Sequence, residues 1–288
     1  MFILLYLCRK IMKIIVFGAN GQLGKSFQSV YQQFEHELIF ADIDELDFTD
    51  ENAVKSFLRD KPCDLIINCA AYTAVDKAED EQDLCMAVNA IAPEIIAEFC
   101  KNSNTKLIHY STDYVFDGKS NEEYVESDDT NPCNFYGLSK LKGEEAILKH
   151  NPNGFIIRTS GLISEFGNNF IATMCKLLKE KDEISVVRNQ TTKLTCAREL
   201  ALHTMKLIGK IPKGIDIVHY ANNPAMSWYD FARIVKEKTG SNCKLRVATD
   251  YPQRAVRPKY SVLNCSKIEL LYQISIKNID KTISKIIT

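Results

Sequence analysis

Between Ile14 and Gly24 the chain reads Ile-Ile-Val-Phe-Gly-Ala-Asn-Gly-Gln-Leu-Gly, a β-branched and aromatic run broken by three glycines. The run has the character of a buried strand, and a helical pattern resumes after Gly24. Glycines at 18, 21 and 24 let the chain turn sharply, bring its amides close to a ligand and pack the new helix on the sheet. The first helical turn then presents Asn20, Gly21, Gln22 and Leu23 with free N–H groups, a setting that favours an anion. A second apolar run, Leu38-Ile39-Phe40-Ala41, ends at the carboxylate of Asp42. Strand, glycine turn, helix, strand and terminal acid in that order predict a dinucleotide site.

The rest of the chain alternates strands and helices, which predicts an α/β fold: a Rossmann-type doubly wound parallel sheet with a smaller C-terminal substrate-binding lobe. Residues 13–160 are assigned to the NAD(P)-binding domain, with later segments returning to its sheet. Residues 161–288 are assigned mainly to the lobe, and residues 1–12 to an extension of uncertain status. Asp42 suits the two adenosine-ribose hydroxyls and would repel a 2′-phosphate, which favours NADH over NADPH without deciding it. Asp47 or Thr49 is the expected cap of a helix over Glu51–Arg59, and Phe48 is a candidate platform for adenine. The apolar run at Leu65 ends in Ala70, Ala71 and Tyr72, where small side chains leave room for a cofactor. A further strand at Lys106–Tyr110 delivers Ser111-Thr112-Asp113-Tyr114. Residues 119–132 read as a surface excursion, and Asn89, on an otherwise apolar helix face, is expected to bond neighbouring loop backbone.

Formal charge is −1 over 288 residues, so nothing electrostatic points to nucleic acid or an anionic membrane. The ten cysteines are scattered, without a CxxC pair or histidines at metal spacing, and read as reduced thiols. Met1–Leu7 is too short to span a bilayer, and its positive charges follow the apolar run, unlike a signal peptide. Met12 stands directly before the first strand, and the enzyme body is expected in the cytoplasm.

Tyr136 and Lys140 lie four apart, on one face of the predicted helix that runs to about Lys149. Together with Thr112 they supply what carbonyl reduction requires. Hydride arriving at a carbonyl leaves alkoxide charge on oxygen, and a phenol can donate the proton. A lysine ammonium one turn away is expected to stabilise the phenolate. Bringing a phenol from its ordinary value near 10 to neutrality takes about 4 kcal/mol. Lys140 can also hold the nicotinamide ribose, and Thr112 can orient the reacting oxygen.

These segments resemble the dTDP-4-dehydrorhamnose reductase family, within the extended short-chain dehydrogenase/reductases that act on nucleotide sugars. The matching strings are Gly18–Gly24, CAAYTAVDKAE at Cys69–Glu79, STDYVFDG at Ser111–Gly118, YGLSKLKGE at Tyr136–Glu144, NNF at Asn168–Phe170 and RPKYSVL at Arg257–Leu263. The resemblance implies reduction of the 4-keto group of dTDP-4-dehydro-L-rhamnose to dTDP-L-rhamnose with NADH or NADPH. It implies Thr112, Tyr136 and Lys140 as catalytic residues. It also implies Thr73, Val75, Asp76, Tyr114, Asn169 and Arg257 around the sugar nucleotide, Arg257 on the diphosphate. A homodimer and a 3,5-epimerase that supplies the substrate are the candidate partners. Some relatives bind Mg²⁺ between subunits, but no carboxylate cluster here is distinctive enough to assign as its ligands.

Two departures fall on the substrate side. The family usually carries Thr-Ser-Trp where this chain has Thr159-Ser160-Gly161, and an Asp-Gln pair followed by Gly and Pro where it has Asn189-Gln190-Thr191-Thr192. Without the indole at 161 the sugar pocket is either enlarged, admitting a UDP- or acetamido-4-keto sugar, or filled by another side chain. A non-catalytic NAD(P)-binding regulatory subunit is the alternative class, and retention of Thr112, Tyr136 and Lys140 argues against it. A 4,6-dehydratase would want a Glu beside Asp113, where Tyr114 stands.

Overall fold

The computed structural model describes residues 11–250 and 252–287, so the greater part of the N-terminal extension lies outside the described residues. Six parallel strands form the main sheet: β1 (Lys13–Phe17), β2 (Glu37–Ala41), β3 (Leu65–Asn68), β4 (Lys106–Thr112), β5 (Gly154–Thr159) and β9 (Ile215–Tyr220). Their spatial order is β2-β1-β3-β4-β5-β9. Chain order therefore reverses at β1, and the crevice beyond the carboxyl ends of β1 and β3 is where such sheets bind ligands. Residues of β3 and β5 are buried throughout, as expected of parallel strands covered on both faces.

The alternation along β1 divides the core. Ile14 and Val16 point to one face, where they join Leu23 and Phe27 of α1 (Gln22–Val30) and Leu200 of α7 (Ala197–Leu207). Ile15 and Phe17 point to the other, against α2 (Glu51–Asp60) and the helical run from Gln82 to Ser103. That run consists of α3 (Gln82–Met86), a π turn (Ala87–Ile91) and α4 (Ala92–Ser103). Asn89 sits on the π turn, where it accepts the Tyr72 N–H at 2.9 Å and donates to the Tyr72 carbonyl at 3.0 Å. This is the loop-bonding role that its position predicts.

Beyond β5 the chain builds a second body with its own core. A short β6 (Leu162–Ile163), β8 (Thr191–Cys196) and β10 (Asn222–Ser227) form one small sheet. A second pairs β7 (Glu183–Val187) with β11 (Lys244–Ala248). Ile171 and Met174 of α6 (Phe170–Glu180), Phe231 and Val235 of α8 (Trp228–Thr239) and Ile279 of α10 (Ile279–Ile287) fill the space between them. A short α9 (Ser266–Tyr272) packs back onto the main sheet. Among the described residues no helix is long and apolar enough to cross a membrane.

One local expectation needs correction, and one gains an anchor. The cap of α2 is Asp50, whose carboxylate accepts from Asn52 and Ala53 N–H. Asp47 instead closes its own turn by accepting from the N–H and hydroxyl of Thr49. The excursion at 119–132 is also tied down in its middle. Tyr124 is buried, stacks on Phe116 at 4.2 Å and exchanges backbone hydrogen bonds with Val262 and Asn264.

Helix α5 (Phe135–His150) carries Tyr136 and Lys140, and its buried residues include Ser139, Lys140 and Glu144. Arg158 of β5 clamps Glu144, with Nε at 3.0 Å from one carboxylate oxygen and Nη2 at 2.7 Å from the other. Both side chains are almost wholly buried. Removing one partner strands the other charge, so Glu144→Ala is expected to destabilise the fold by about 3–5 kcal/mol. Chemical denaturation of the variant checks this, and a loss under about 1 kcal/mol would contradict the packing described.

Candidate active site

The carboxyl ends of β1, β3, β4 and β5 open into a cavity of about 460 Å³ that the smaller lobe covers. Gly18, Gly21, Gln22 and Leu23 line its near end; Ala71, Thr73 and Val75 line one wall; Thr112, Tyr114, Tyr136 and Lys140 lie at its centre. The glycine turn is built for close approach. Gly18 has φ +73°, and a Cβ on Gly24 would overlap the Gly18 carbonyl oxygen, so the pairing of α1 with β1 requires both residues to be glycine. Ser111 is among the lining residues, and its Oγ is buried without a hydrogen-bond partner. A cradle of backbone amides and an orphaned hydroxyl at the sheet's switch point fit a dinucleotide.

Several predicted residues stand outside the cavity wall. Asn20 and Asp42 face each other, the Asp42 carboxylate accepting the Asn20 N–H at 2.7 Å and the Ile43 N–H at 2.8 Å. Gly24 is buried against the Gly18 and Ala19 backbone, and Ala70 is buried as well. Tyr72 donates its hydroxyl to Glu81 at 2.6 Å. Phe48 packs edge-on against Phe17, ring centroids 5.2 Å apart, as part of the core beside β1. Asp76 and Arg257 pair at 2.8 Å, and Asp76 also accepts the Arg254 and Ala255 N–H groups. The pair thus ties the loop carrying Thr73 and Val75 to the loop carrying Pro258, and these three residues do reach the cavity.

Asn169 caps α6 and donates to the Ser164 carbonyl at 2.8 Å and to Gln22 Oε1 at 3.2 Å. Ser164 donates to the same oxygen at 2.9 Å. The lobe is thereby stitched to the first turn of α1, over the glycine cradle.

At the centre, Thr112 Oγ1 accepts the Tyr114 N–H and donates to Asp113, both at 3.1 Å, and the Tyr114 ring stands edge-on to that of Tyr136, centroids 5.9 Å apart. Burial pushes the Tyr136 phenol above its ordinary range. The lysine amine one helical turn away is engaged elsewhere. Lys140 Nζ donates to the Tyr110 carbonyl at 2.6 Å and lies 3.3 Å from His109 Nε2. Burial holds Lys140 down at about 8, partly offset by the Glu144 carboxylate. Burial likewise raises Asp113 to about 6, opposed by hydrogen bonds from Ser261, Thr112 and Thr192. Among the described residues no group of three or more His, Cys, Asp and Glu is arranged to hold a metal.

The far wall is formed by Gln190, Thr191 and Thr192, the stretch the sequence places on the substrate side, with Ser261, and by Trp228, which the sequence reading missed. Trp228 answers the question raised by Gly161. A Cβ on Gly161 would lie 3.3 Å from the tip of the Trp228 indole and 3.4 Å from Leu194. The pocket is therefore filled at this point rather than enlarged, by an indole presented from α8 and backed by Phe170 at 4.7 Å. The one tryptophan of the chain was the available signal, but only the fold brings positions 161 and 228 together.

A parallel sheet with a glycine cradle, and a threonine, tyrosine and lysine converging in the crevice beside it, define a nicotinamide-dependent oxidoreductase of the short-chain dehydrogenase type. Residues 12–288 match the RmlD substrate binding domain family. The chain is 36% identical over 275 residues to the dTDP-4-dehydrorhamnose reductase of Aggregatibacter actinomycetemcomitans, covering 91% of this chain and 94% of that protein. Its fold superposes with TM-score 0.91 on a dTDP-4-dehydrorhamnose reductase from Clostridium acetobutylicum, at 38% identity over 96% of this chain and 98% of that one. The same TM-score relates it to the Bacillus anthracis dTDP-4-dehydrorhamnose reductase solved with NADP, at 33% identity over 96% and 99% of the two chains. The chain belongs to the dTDP-4-dehydrorhamnose reductase family.

Because Trp228 occupies the space over Gly161, Gly161→Trp should lower the melting temperature. The same change should cost far less in a Trp228→Ala background. A thermal-unfolding cycle over the four variants should give a coupling of about 1–3 kcal/mol. Additive effects would mean that the two positions do not share the space.

Proposed function

We propose that the chain reduces the 4-keto group of dTDP-4-dehydro-L-rhamnose to dTDP-L-rhamnose with NAD(P)H. The observation that carries this reading is the convergence of Thr112, Tyr136 and Lys140 on a cavity whose other end is the glycine cradle. Bound NAD(P)H supplies the hydride. Gly18, Gly21, Gln22 and Leu23 hold its phosphates, and Asp42, already fixed by two N–H groups, meets the adenosine ribose. Thr112 hydrogen-bonds the ketone oxygen and orients it. Tyr136 donates its phenolic proton to that oxygen as negative charge develops there. The raised value of the phenol suits a donor that stays protonated at neutral pH.

Thr73, Val75, Tyr114 and Asn169 flank the sugar nucleotide, with Trp228 closing the end where Gly161 leaves space. Asp76 holds Arg257 beside the entrance, where the guanidinium meets the diphosphate by exchanging its carboxylate partner for the ligand. The nine described cysteines are free thiols, in keeping with work in a reducing cytoplasm. A 3,5-epimerase supplies the substrate, and a homodimer is the assembly we expect.

The test is oxidation of NADH and of NADPH with dTDP-4-dehydro-6-deoxyglucose, with and without a 3,5-epimerase. Turnover only with the epimerase is the expected result. Turnover of the unepimerised sugar at equal rate would reassign the substrate. Tyr136→Phe should lower kcat by roughly 10²–10⁴-fold with cofactor affinity retained, and an unaffected kcat would remove the phenol from the mechanism.

A further inference from the structure

Helix α1 begins without a side-chain cap. Its N-cap is Gly21, no acid stands in its first turn, and its first internal hydrogen bond runs from the Lys25 N–H to the Gly21 carbonyl. The N–H groups of Gln22, Leu23 and Gly24 therefore have no acceptor within the helix. A helix start of this kind frays unless something outside the helix holds it. One such hold is an anion on the free N–H groups. The other is the Gln22 side chain, which leaves the helix for the smaller lobe.

The carboxamide of Gln22 is fixed at both of its polar atoms. Asn169 Oδ1 accepts the Ala172 N–H at 3.1 Å, so Asn169 Nδ2 is the group that faces Gln22. A donor there requires Gln22 to present Oε1. The same oxygen takes the Ser164 hydroxyl at 2.9 Å, and Gln22 Nε2 is left to face the Asn168 carbonyl at 3.5 Å. All three partners lie between 164 and 169, and a Cβ on Gly167 would come within 3.5 Å of Gln22 Cγ. Asn169 caps α6, and the first residue of that helix, Phe170, backs the Trp228 indole at the substrate end. Gln22, Asn169 and Phe170 thus lead in sequence from the glycine cradle to the Trp228 wall.

We propose that Gln22 is a positioning residue through which the cofactor and the sugar nucleotide strengthen each other's binding, by way of the uncapped first turn of α1. This rests on the reading of the cavity as shared by NAD(P)H and a nucleotide sugar. Cofactor phosphate on the free N–H groups holds the turn helical, and the turn holds the carboxamide where Ser164 and Asn169 meet it. With 164–169 held, α6 presents Trp228 to the sugar. A sugar nucleotide bound under the lobe favours the same arrangement from the other side. By linkage, each ligand then tightens the other by the same factor. The backbone N–H of Gln22 belongs to the cradle whatever the side chain is, so a side-chain substitution separates the two roles.

The first test needs no sugar. In hydrogen–deuterium exchange, saturating NADPH should slow exchange over residues 164–172 of the wild type. Gln22→Met keeps the backbone N–H and the length of the side chain but cannot make the three hydrogen bonds. At NADPH saturation, checked by calorimetry, the protection over 164–172 should be lost in this variant while that over 18–24 remains. Equal protection of 164–172 in both proteins, or none in the wild type, would overturn the proposal.

The second test measures the linkage. NADPH and dTDP-L-rhamnose cannot react with each other, so the sugar nucleotide is titrated calorimetrically with and without saturating NADPH. The wild type should bind it about fivefold or more tightly with NADPH present, and Gln22→Met should bring that ratio close to one. Ser164, outside the cavity lining, gives a second variant: Ser164→Ala removes one bond to the same oxygen and should give an intermediate ratio. A ratio of one in the wild type, or an unchanged ratio in Gln22→Met, would overturn the linkage while leaving the substrate reading in place. No binding of dTDP-L-rhamnose by the wild type would overturn the substrate reading and the linkage with it. A merely structural role for Gln22 would weaken the sugar nucleotide equally in both conditions and leave the ratio where it is.

Discussion

The position of the chemistry depends on one buried ion pair, Glu144 with Arg158. Most helices on this sheet are held by an apolar stripe, as α1 is by Leu23, Phe27 and Val30. Helix α5 is different, since Gly137, Ser139, Lys140, Gly143 and Glu144 make up most of its buried residues. Such a face gains little from leaving water unless each polar group finds a partner. Glu144 finds Arg158, Ser139 finds Asn89 at 3.0 Å, and Lys140 finds Tyr110 and His109. Apolar contacts tolerate sliding, whereas bidentate and charged hydrogen bonds do not. The helix that carries Tyr136 is thus fixed in rotation and height relative to the ends of β4 and β5.

The same partners explain why the lysine and tyrosine do not act as an isolated pair. Four-residue spacing places them on one helix face, but the amine reaches past the phenol to the strand behind it. Tyr114 stands edge-on to Tyr136, and Asp113 beside it accepts from the hydroxyls of Thr112 and Thr192. The phenol and the amine are therefore separated in space within the one site, the amine set against His109 and the Tyr110 carbonyl.

The sheet and the glycine turn were legible because their signals are local. The strand at 13–17, the glycines, Asp42 and the apolar runs at 65, 106 and 156 each declare themselves within a few residues. The smaller lobe was not legible in the same way. Strand β8 reads Thr-Thr-Lys-Leu-Thr-Cys and buries Lys193, whose amine is satisfied by the Leu263 carbonyl and Glu123. Strand β10, Asn-Asn-Pro-Ala-Met-Ser, likewise lacks a clean alternation of apolar and polar residues. The far wall of the cavity is assembled from just these segments. Trp228 over Gly161 was settled by a distance that no spacing along the chain encodes.

The central claim is that a single cavity holds the cofactor against Thr112, Tyr136 and Lys140, with Trp228 closing its substrate end. Trp228 is the only tryptophan in the chain, so its emission reports on this cavity alone. The most direct measurement is energy transfer from Trp228 to the reduced nicotinamide during titration with NADPH, with occupancy followed in parallel by calorimetry. The account predicts that tryptophan emission falls and nicotinamide emission rises together, in proportion to occupancy. Saturating NADPH binding with Trp228 emission unchanged would contradict it.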